Sequence, residues 1–237
     1  MELSFKDVVR IFAVSEQTVN GWIKKRRMPC ITVNEQYRFN YIELLDWAIE
    51  EKVKLTPEIL SLEDRANRGG EVLYQALMAG NVYYDVPGDN PEAVLKSVVD
   101  VLPLPPRHNK QSLWQMLIAR EKLVSTAIGK GIAIPHVRNP VVLQLEKPSV
   151  TLCFLKKPVE FKALDGQPVF ILFTLLSSSV KQHLWTLSRL AYCLQNEKLQ
   201  EYLHQKAPRE QILAEVRVLE STIPPVSDKD EKDKGKQ

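Results

Sequence analysis

Cysteine is scarce in this 237-residue chain. Cys30, Cys153 and Cys193 are isolated, odd in number and without metal-type spacing, which argues against a disulfide framework or a zinc site. Each has apolar neighbours, so reduced core thiols of a cytosolic protein are expected. No apolar run approaches the length of a membrane span, and the opening MELSFKDVV lacks the basic-then-apolar layout of a signal peptide. A cytoplasmic location without membrane insertion is therefore expected. A large net charge is also missing. The balance is only +3, so affinity for nucleic acid would need a local patch. What remains, 44% hydrophobic and 26% charged residues, is enough to build one large domain or two unequal ones, each with a core.

Pattern divides the chain into four. Residues 1–54 hold short amphipathic segments, a basic cluster and a hairpin signal. Residues 55–70 read as a linker, with Pro57 opening a short helical piece and charge running into Gly69-Gly70. From 71 to 222 helical and strand patterns alternate, which predicts an α/β domain, a mixed sheet flanked by helices. The tail 223–237, nearly all charged or small after its prolines, has too little apolar surface to offset ordering entropy and reads as disordered.

In the first segment Ser4 can cap a helix, with Asp7 completing a capping box, and Val8, Ile11 and Phe12 share one face. After a turn at Ala13-Val14, Ser15 can cap a second helix that buries Val19, Trp22 and Ile23. Met28-Pro29 stops it. ITV and YRF flank Asn34-Glu35 as a hairpin wing, and Tyr41–Lys52 forms a further helix packed through Leu44, Leu45 and Trp47. This is a helix-turn-helix layout, and VSEQTVNGWIKKRRMPCITVNEQYRF resembles the excisionase and MerR-like winged helix-turn-helix family. The resemblance implies DNA binding. Lys24, Lys25, Arg26, Arg27 and Arg38 would meet phosphates, and Gln17, Thr18 and Asn20 would read bases. A single copy offers few contacts, so useful affinity implies a homodimer. Two alternatives stay open: a basic run at a helix C-terminus also suits a solvated end, and some members of this fold bind proteins.

In the larger segment, REKLVSTAIGKGIAIPHVRNP (120–140) carries the chemistry. Gly129 and Gly131 bracket Lys130 in a tight turn, Ile132-Ala133-Ile134 is strand-like, and Pro135 stiffens the backbone before His136. Taken alone, a histidine after proline is more often structural. However, Arg-Glu, Ser-Thr-x-Ile-Gly and Gly-Ile-Ala-Ile-Pro-His in this order resemble the signature of the mannitol/fructose and nitrogen-regulatory enzyme IIA family. The similarity continues through the Asp165-Gly166 turn and the helix KQHLWTLSRLAYCLQ bearing His183. Ala127 stands where the family commonly has glycine, and Val137 where Gly or Ala is usual.

The resemblance implies that His136 accepts a phosphoryl group from the phosphohistidine of an HPr-like carrier, with no cofactor and no metal. His183 would orient His136 or bond the phosphoryl group, and Arg120 would pair with its oxygens. Thr126, Ser125 and the backbone around Gly129 and Gly131 would donate further hydrogen bonds. His108 and His204 match nothing in the motif and read as surface residues; Trp114 and Trp185 read as core or core-edge. Joined to a helix-turn-helix, such a carrier reads as a regulator that links phosphorylation to DNA or partner binding. Two alternatives are a sugar-specific enzyme IIA that passes phosphate to an enzyme IIB-type partner and permease, and a partner-binding regulator without DNA binding.

Overall fold

The computed structural model describes residues 2–33, 35–51, 53, 72–137 and 145–222. The linker read at 55–70, the tail at 223–237 and Lys52 lie outside them.

At the N-terminus, β1 (Glu2–Ser4) runs into α1 (Phe5–Phe12) through a complete capping box: Ser4 accepts from the Asp7 N–H, and Asp7 accepts from the Ser4 N–H at 3.0 Å. Ala13 adopts a left-handed conformation, closing α1 and turning the chain into α2 (Glu16–Lys25), which is capped by Ser15. β2 (Ile31–Val33) and β3 (Gln36–Asn40) follow, then α3 (Tyr41–Glu50). β1 pairs with β3, giving an antiparallel sheet in the order β1-β3-β2; this first strand is too short to stand out in the sequence. Phe12, Trp22 and Trp47 pack edge-on and tilted with centroids 5.5–6.3 Å apart, so α1, α2 and α3 share one aromatic centre.

Past residue 71 the elements are α4 (Val72–Gly80), β4 (Val82–Val86), α5 (Pro91–Val101), α6 (Lys110–Leu123), β5 (Ala127–Gly129), β6 (Ile132–Ala133), β7 (Ser149–Val159), β8 (Val169–Leu176), α7 (Val180–Cys193), α8 (Glu197–His204) and α9 (Arg209–Ser221). The sheet order is β4-β7-β8-β6-β5. β4 is parallel to β7 and β6 to β8, while β7–β8 and β5–β6 are antiparallel, so the sheet is mixed. β7 and β8 sit at the centre and are covered on both faces, which is why they read as near-continuous apolar runs rather than alternating ones.

On one face Leu152, Phe154, Ile171, Phe173 and Leu175 pack with α4 and α7–α9; on the other Cys153, Leu155, Leu172 and Leu176 meet α5 and α6. Cys153 and Cys193 are core thiols, and burial pushes each up to about 12. α3 packs against α7 and β5, so the apolar cluster on the first face continues into the N-terminal segment.

The end of α9 is tied back to the start of α4. Glu220, buried, accepts from the N–H groups of Leu73 at 2.9 Å and Tyr74 at 2.8 Å, and from Arg189 of α7 at 3.3 Å. One carboxylate thus satisfies orphan donors at a helix start and pairs a buried cation from a third helix. Glu220→Ala leaves Arg189 buried without that partner and is expected to cost about 3–5 kcal/mol, read from the urea-unfolding midpoint. Adding Arg189→Met should recover part of the loss.

Candidate functional site

The site begins at the end of α6. Arg120 is buried there, and its Nη1 donates to the carbonyl oxygen of Val124, the C-cap, at 2.7 Å. Its neighbour Glu121 turns back on the next strand, accepting from the Thr126 N–H at 3.1–3.2 Å and from the Thr126 hydroxyl at 2.5 Å. Ser125 donates its hydroxyl to the Phe161 carbonyl at 2.5 Å and accepts from the Ala127 N–H at 3.1 Å.

Gly129, Lys130 and Gly131 then turn the chain with three consecutive positive φ values of 90°, 54° and 72°. A Cβ on Gly131 would lie 2.0 Å from the Phe170 ring, so the turn requires glycine there for both conformation and space. Beyond it the chain runs parallel beside β8, with Ile132 opposite Ile171, and His136 bridges Leu175 in the same register. The Leu175 N–H donates to the Pro135 carbonyl at 2.9 Å, fixing the backbone just before the histidine.

His136 is 5% exposed. Its Nδ1 lies 2.9 Å from the Ile134 carbonyl oxygen, which can only accept, so Nδ1 carries the proton and Nε2 the lone pair. The His183 ring, on the second turn of α7, lies 5.2 Å away at an angle of 50° and is also buried. Burial, and next the nearby Arg120 guanidinium, lower the His136 pKa to about 4 against the opposing effect of the Ile134 hydrogen bond. At neutral pH the ring is neutral and oriented, with the Arg120 cation and the His183 ring nearby.

The structure therefore brings together Arg120, His136 and His183, but uses the other motif residues differently. The Ser125 hydroxyl donates to the Phe161 carbonyl and the Thr126 hydroxyl to Glu121, so both shape the loop. The Gly129–Gly131 turn lies at the other end of the strand, about 13 Å from the histidine at the rise of an extended chain. Its backbone holds Asp165 and β8, with the Lys130 N–H on Asp165 at 2.8 Å and the Gly131 carbonyl taking the N–H groups of Phe170 and Ile171. The local sequence missed Glu121 as the partner of Thr126; a carboxylate five residues before a hydroxyl was the available signal.

Of the residues read as a nucleic-acid face, Gln17, Lys24, Lys25 and Arg27 are exposed. Thr18 lies 2.9 Å from the Ser15 hydroxyl, Asn20 donates to the Glu16 carbonyl and Arg38 to Gln36. Arg26 departs from that reading. Its guanidinium holds the Glu51 carboxylate at 2.7 Å and the Glu51 carbonyl at 2.8 Å, while its own carbonyl accepts from Trp47 Nε1, so it staples α2 to the end of α3. Among the described residues no cluster of His, Cys, Asp or Glu could hold a metal ion, and no helix is long and apolar enough to cross a membrane.

A five-stranded mixed sheet with helices on both faces thus carries two facing histidines where a strand end meets a helix start. The model of the phosphoenolpyruvate-dependent sugar phosphotransferase system EIIA 2 family matches residues 76–217, and the chain belongs to that family. The chain is 35% identical to a nitrogen regulatory protein of Pseudomonas aeruginosa over 149 residues, which is 62% of this chain and 94% of that one. It is 33% identical to the fructose-specific EIIABC component of Bacillus subtilis over 115 residues, 47% of this chain and 18% of that protein. The crystal structure of nitrogen regulatory protein IIA-Ntr from Neisseria meningitidis superposes with a TM-score of 0.51 at 28% identity, covering 57% of this chain and 92% of that one.

The depressed His136 pKa has a signed consequence. Between about pH 6.5 and 4 the unfolded chain binds a proton at this ring that the folded chain does not, so this contribution to stability is complete above 6.5 and is lost as pH falls toward 4. The ring's NMR resonances are expected to stay those of neutral imidazole down to about pH 5. His136→Gln should remove a stability slope of about 1.4 kcal/mol per pH unit in that window.

Proposed function

We propose that this protein is a phosphoryl-carrier regulator, with His136 Nε2 as the acceptor and an HPr-like phosphohistidine carrier as the donor. The observation that supports this most is the His136 environment: a buried ring, neutral at pH 7, its Nδ1 proton held by Ile134, with Arg120 and His183 alongside. In the transfer the donor's P–N bond breaks, returning its electron pair to the donor imidazole, and a P–N bond forms at Nε2. The proton stays on Nδ1, donated to the Ile134 carbonyl, and the positive charge moves from donor ring to acceptor ring. Phosphoryl transfer leaves the protein mainly positioning and charge stabilisation to supply. Arg120 provides the cation, with a planar fork suited to two phosphoryl oxygens. His183 orients the acceptor or bonds the phosphoryl group.

A regulatory output is favoured over a transport role by the packing of α3, from the N-terminal segment, on the helix that carries His183 and on β5. The nitrogen regulatory relatives point the same way. In this reading residues 1–54 form a winged helix-turn-helix domain and 71–222 the carrier domain. A phosphoryl group adding roughly one to two negative charges is well placed to alter the α3 contact and thereby DNA or partner binding. The fructose-specific relative supports the alternative, a IIA component that passes phosphate to a IIB-type partner.

Incubation with phosphoenolpyruvate, enzyme I and an HPr-type carrier should label the full chain but not His136→Ala, and Arg120→Lys should slow labelling roughly 10-fold. Label that survives in His136→Ala removes the site. For DNA, the full chain should bind a random duplex library in a salt-sensitive manner. Replacing Lys24, Lys25 and Arg27 with Ala should reduce the log–log salt slope by roughly two to three. Equal affinity before and after phosphorylation would sink the coupling.

A further inference from the structure

Where β8 hands over to α7, one hydroxyl has no structural use. Ser177 follows Leu176, the last residue of β8, and precedes Ser179, the cap of α7. It is 0% exposed, and its Oγ has no hydrogen-bond partner. Buried hydroxyls are almost always bonded, and one that is not calls for a reason. Ser179, by contrast, is accounted for, since its side chain accepts from the Gln182 N–H at 3.2 Å.

The sheet register places this hydroxyl. Ile171, Phe173 and Leu175 pack in the cluster that holds Ile132, Ile134 and, from α7, Leu184 and Leu187, while Leu172 and Leu176 face the other side. By that alternation Ser177 falls on the α7 face, and His136, two residues past Ile134, falls there too. His136 bridges Leu175 directly, so Ser177 is the next same-face position along the neighbouring strand. With strands about 4.8 Å apart and a rise of about 3.3 Å per residue, the two Cα atoms are about 8 Å apart. An imidazole bearing a phosphoryl group, together with a serine side chain, spans that interval. The positive end of the α7 dipole starts three residues further on and favours an anion in the same place.

We propose that Ser177 donates its hydroxyl hydrogen to an oxygen of the phosphoryl group on His136, completing a cradle with Arg120 and His183. This rests on the acceptor role of His136. It assigns to Ser177 the function for which Ser125 and Thr126 are not available, and explains why a buried hydroxyl is kept without a partner in the unphosphorylated protein.

The test uses the full chain, with phosphoramidate as a small donor and the phosphoenolpyruvate, enzyme I and HPr mixture as a protein donor. Ser177→Ala should label at His136 roughly 10- to 100-fold more slowly with both donors. Ser177→Thr, which keeps the hydroxyl, should stay within about threefold of wild type. The unfolding temperature of unphosphorylated Ser177→Ala should match or exceed that of wild type, because a polar group without a partner is removed. Wild-type labelling rates in Ser177→Ala overturn the proposal. So does slow labelling with a lowered unfolding temperature and no rescue by Thr, which would mark a packing role. Absence of label on wild-type His136 with either donor instead overturns the acceptor reading, and this proposal with it.

Discussion

The hydrogen bond from His136 Nδ1 to the Ile134 carbonyl is the interaction on which the proposed phosphoryl transfer depends. It selects the tautomer and holds the ring in one orientation beside His183. It exists because Pro135 and the parallel pairing with β8 hold residues 132–136 extended, so that the ring folds back over a carbonyl two residues earlier. Burial then keeps the ring uncharged, and Arg120 reinforces this while waiting for the negative charge it complements. A ring that was exposed and mobile would be neutral at pH 7 as well, but it would not be oriented, and orientation is most of what phosphoryl transfer asks of a protein.

The rest of the fold holds that strand in place. β8 is the shared reference: β7 pairs with it on one side and β6 on the other, and its last residues lead directly into α7 and His183. The glycine turn secures the far end of β6 against Asp165 and Phe170, so its contribution to the site is mechanical. Glu121 does the same for the loop between α6 and β5. The Glu220 clamp joins α4, α7 and α9 into one layer behind the histidine pair. α3 packs on α7 and β5, which brings the N-terminal segment against the helix that carries His183.

Much of this was legible along the chain. The capping box at Ser4, the turn at Ala13, the apolar faces of α1 and α2 and the pairing of β2 with β3 are local signals, written in residues a few positions apart. The Arg120–His136 stretch was legible as a pattern of the family whose model matches residues 76–217. Proximity in sequence does not fix which partners a side chain takes in space. Ser125, Thr126 and the two glycines lie within eleven residues of His136, yet the hydroxyls face other partners and the turn is a strand length away. Arg26 looked like its three basic neighbours until Glu51 came to meet it. Ser177 lies inside a run of three serines that carries no local signal of burial.

By itself the sequence determined the order and type of most elements, because helix caps, apolar periodicity and glycine-dependent turns depend on near neighbours. It also singled out His136 for the proposed role, through the unusual order of small, apolar and rigid residues before it. The tertiary structure alone decided that His136 is buried and uncharged, that His183 faces it, that Arg26 is a staple and that Ser177 lies on the site's face. Desolvation, ion pairing and strand register all depend on groups brought in from distant parts of the chain, and no local pattern records which groups those will be.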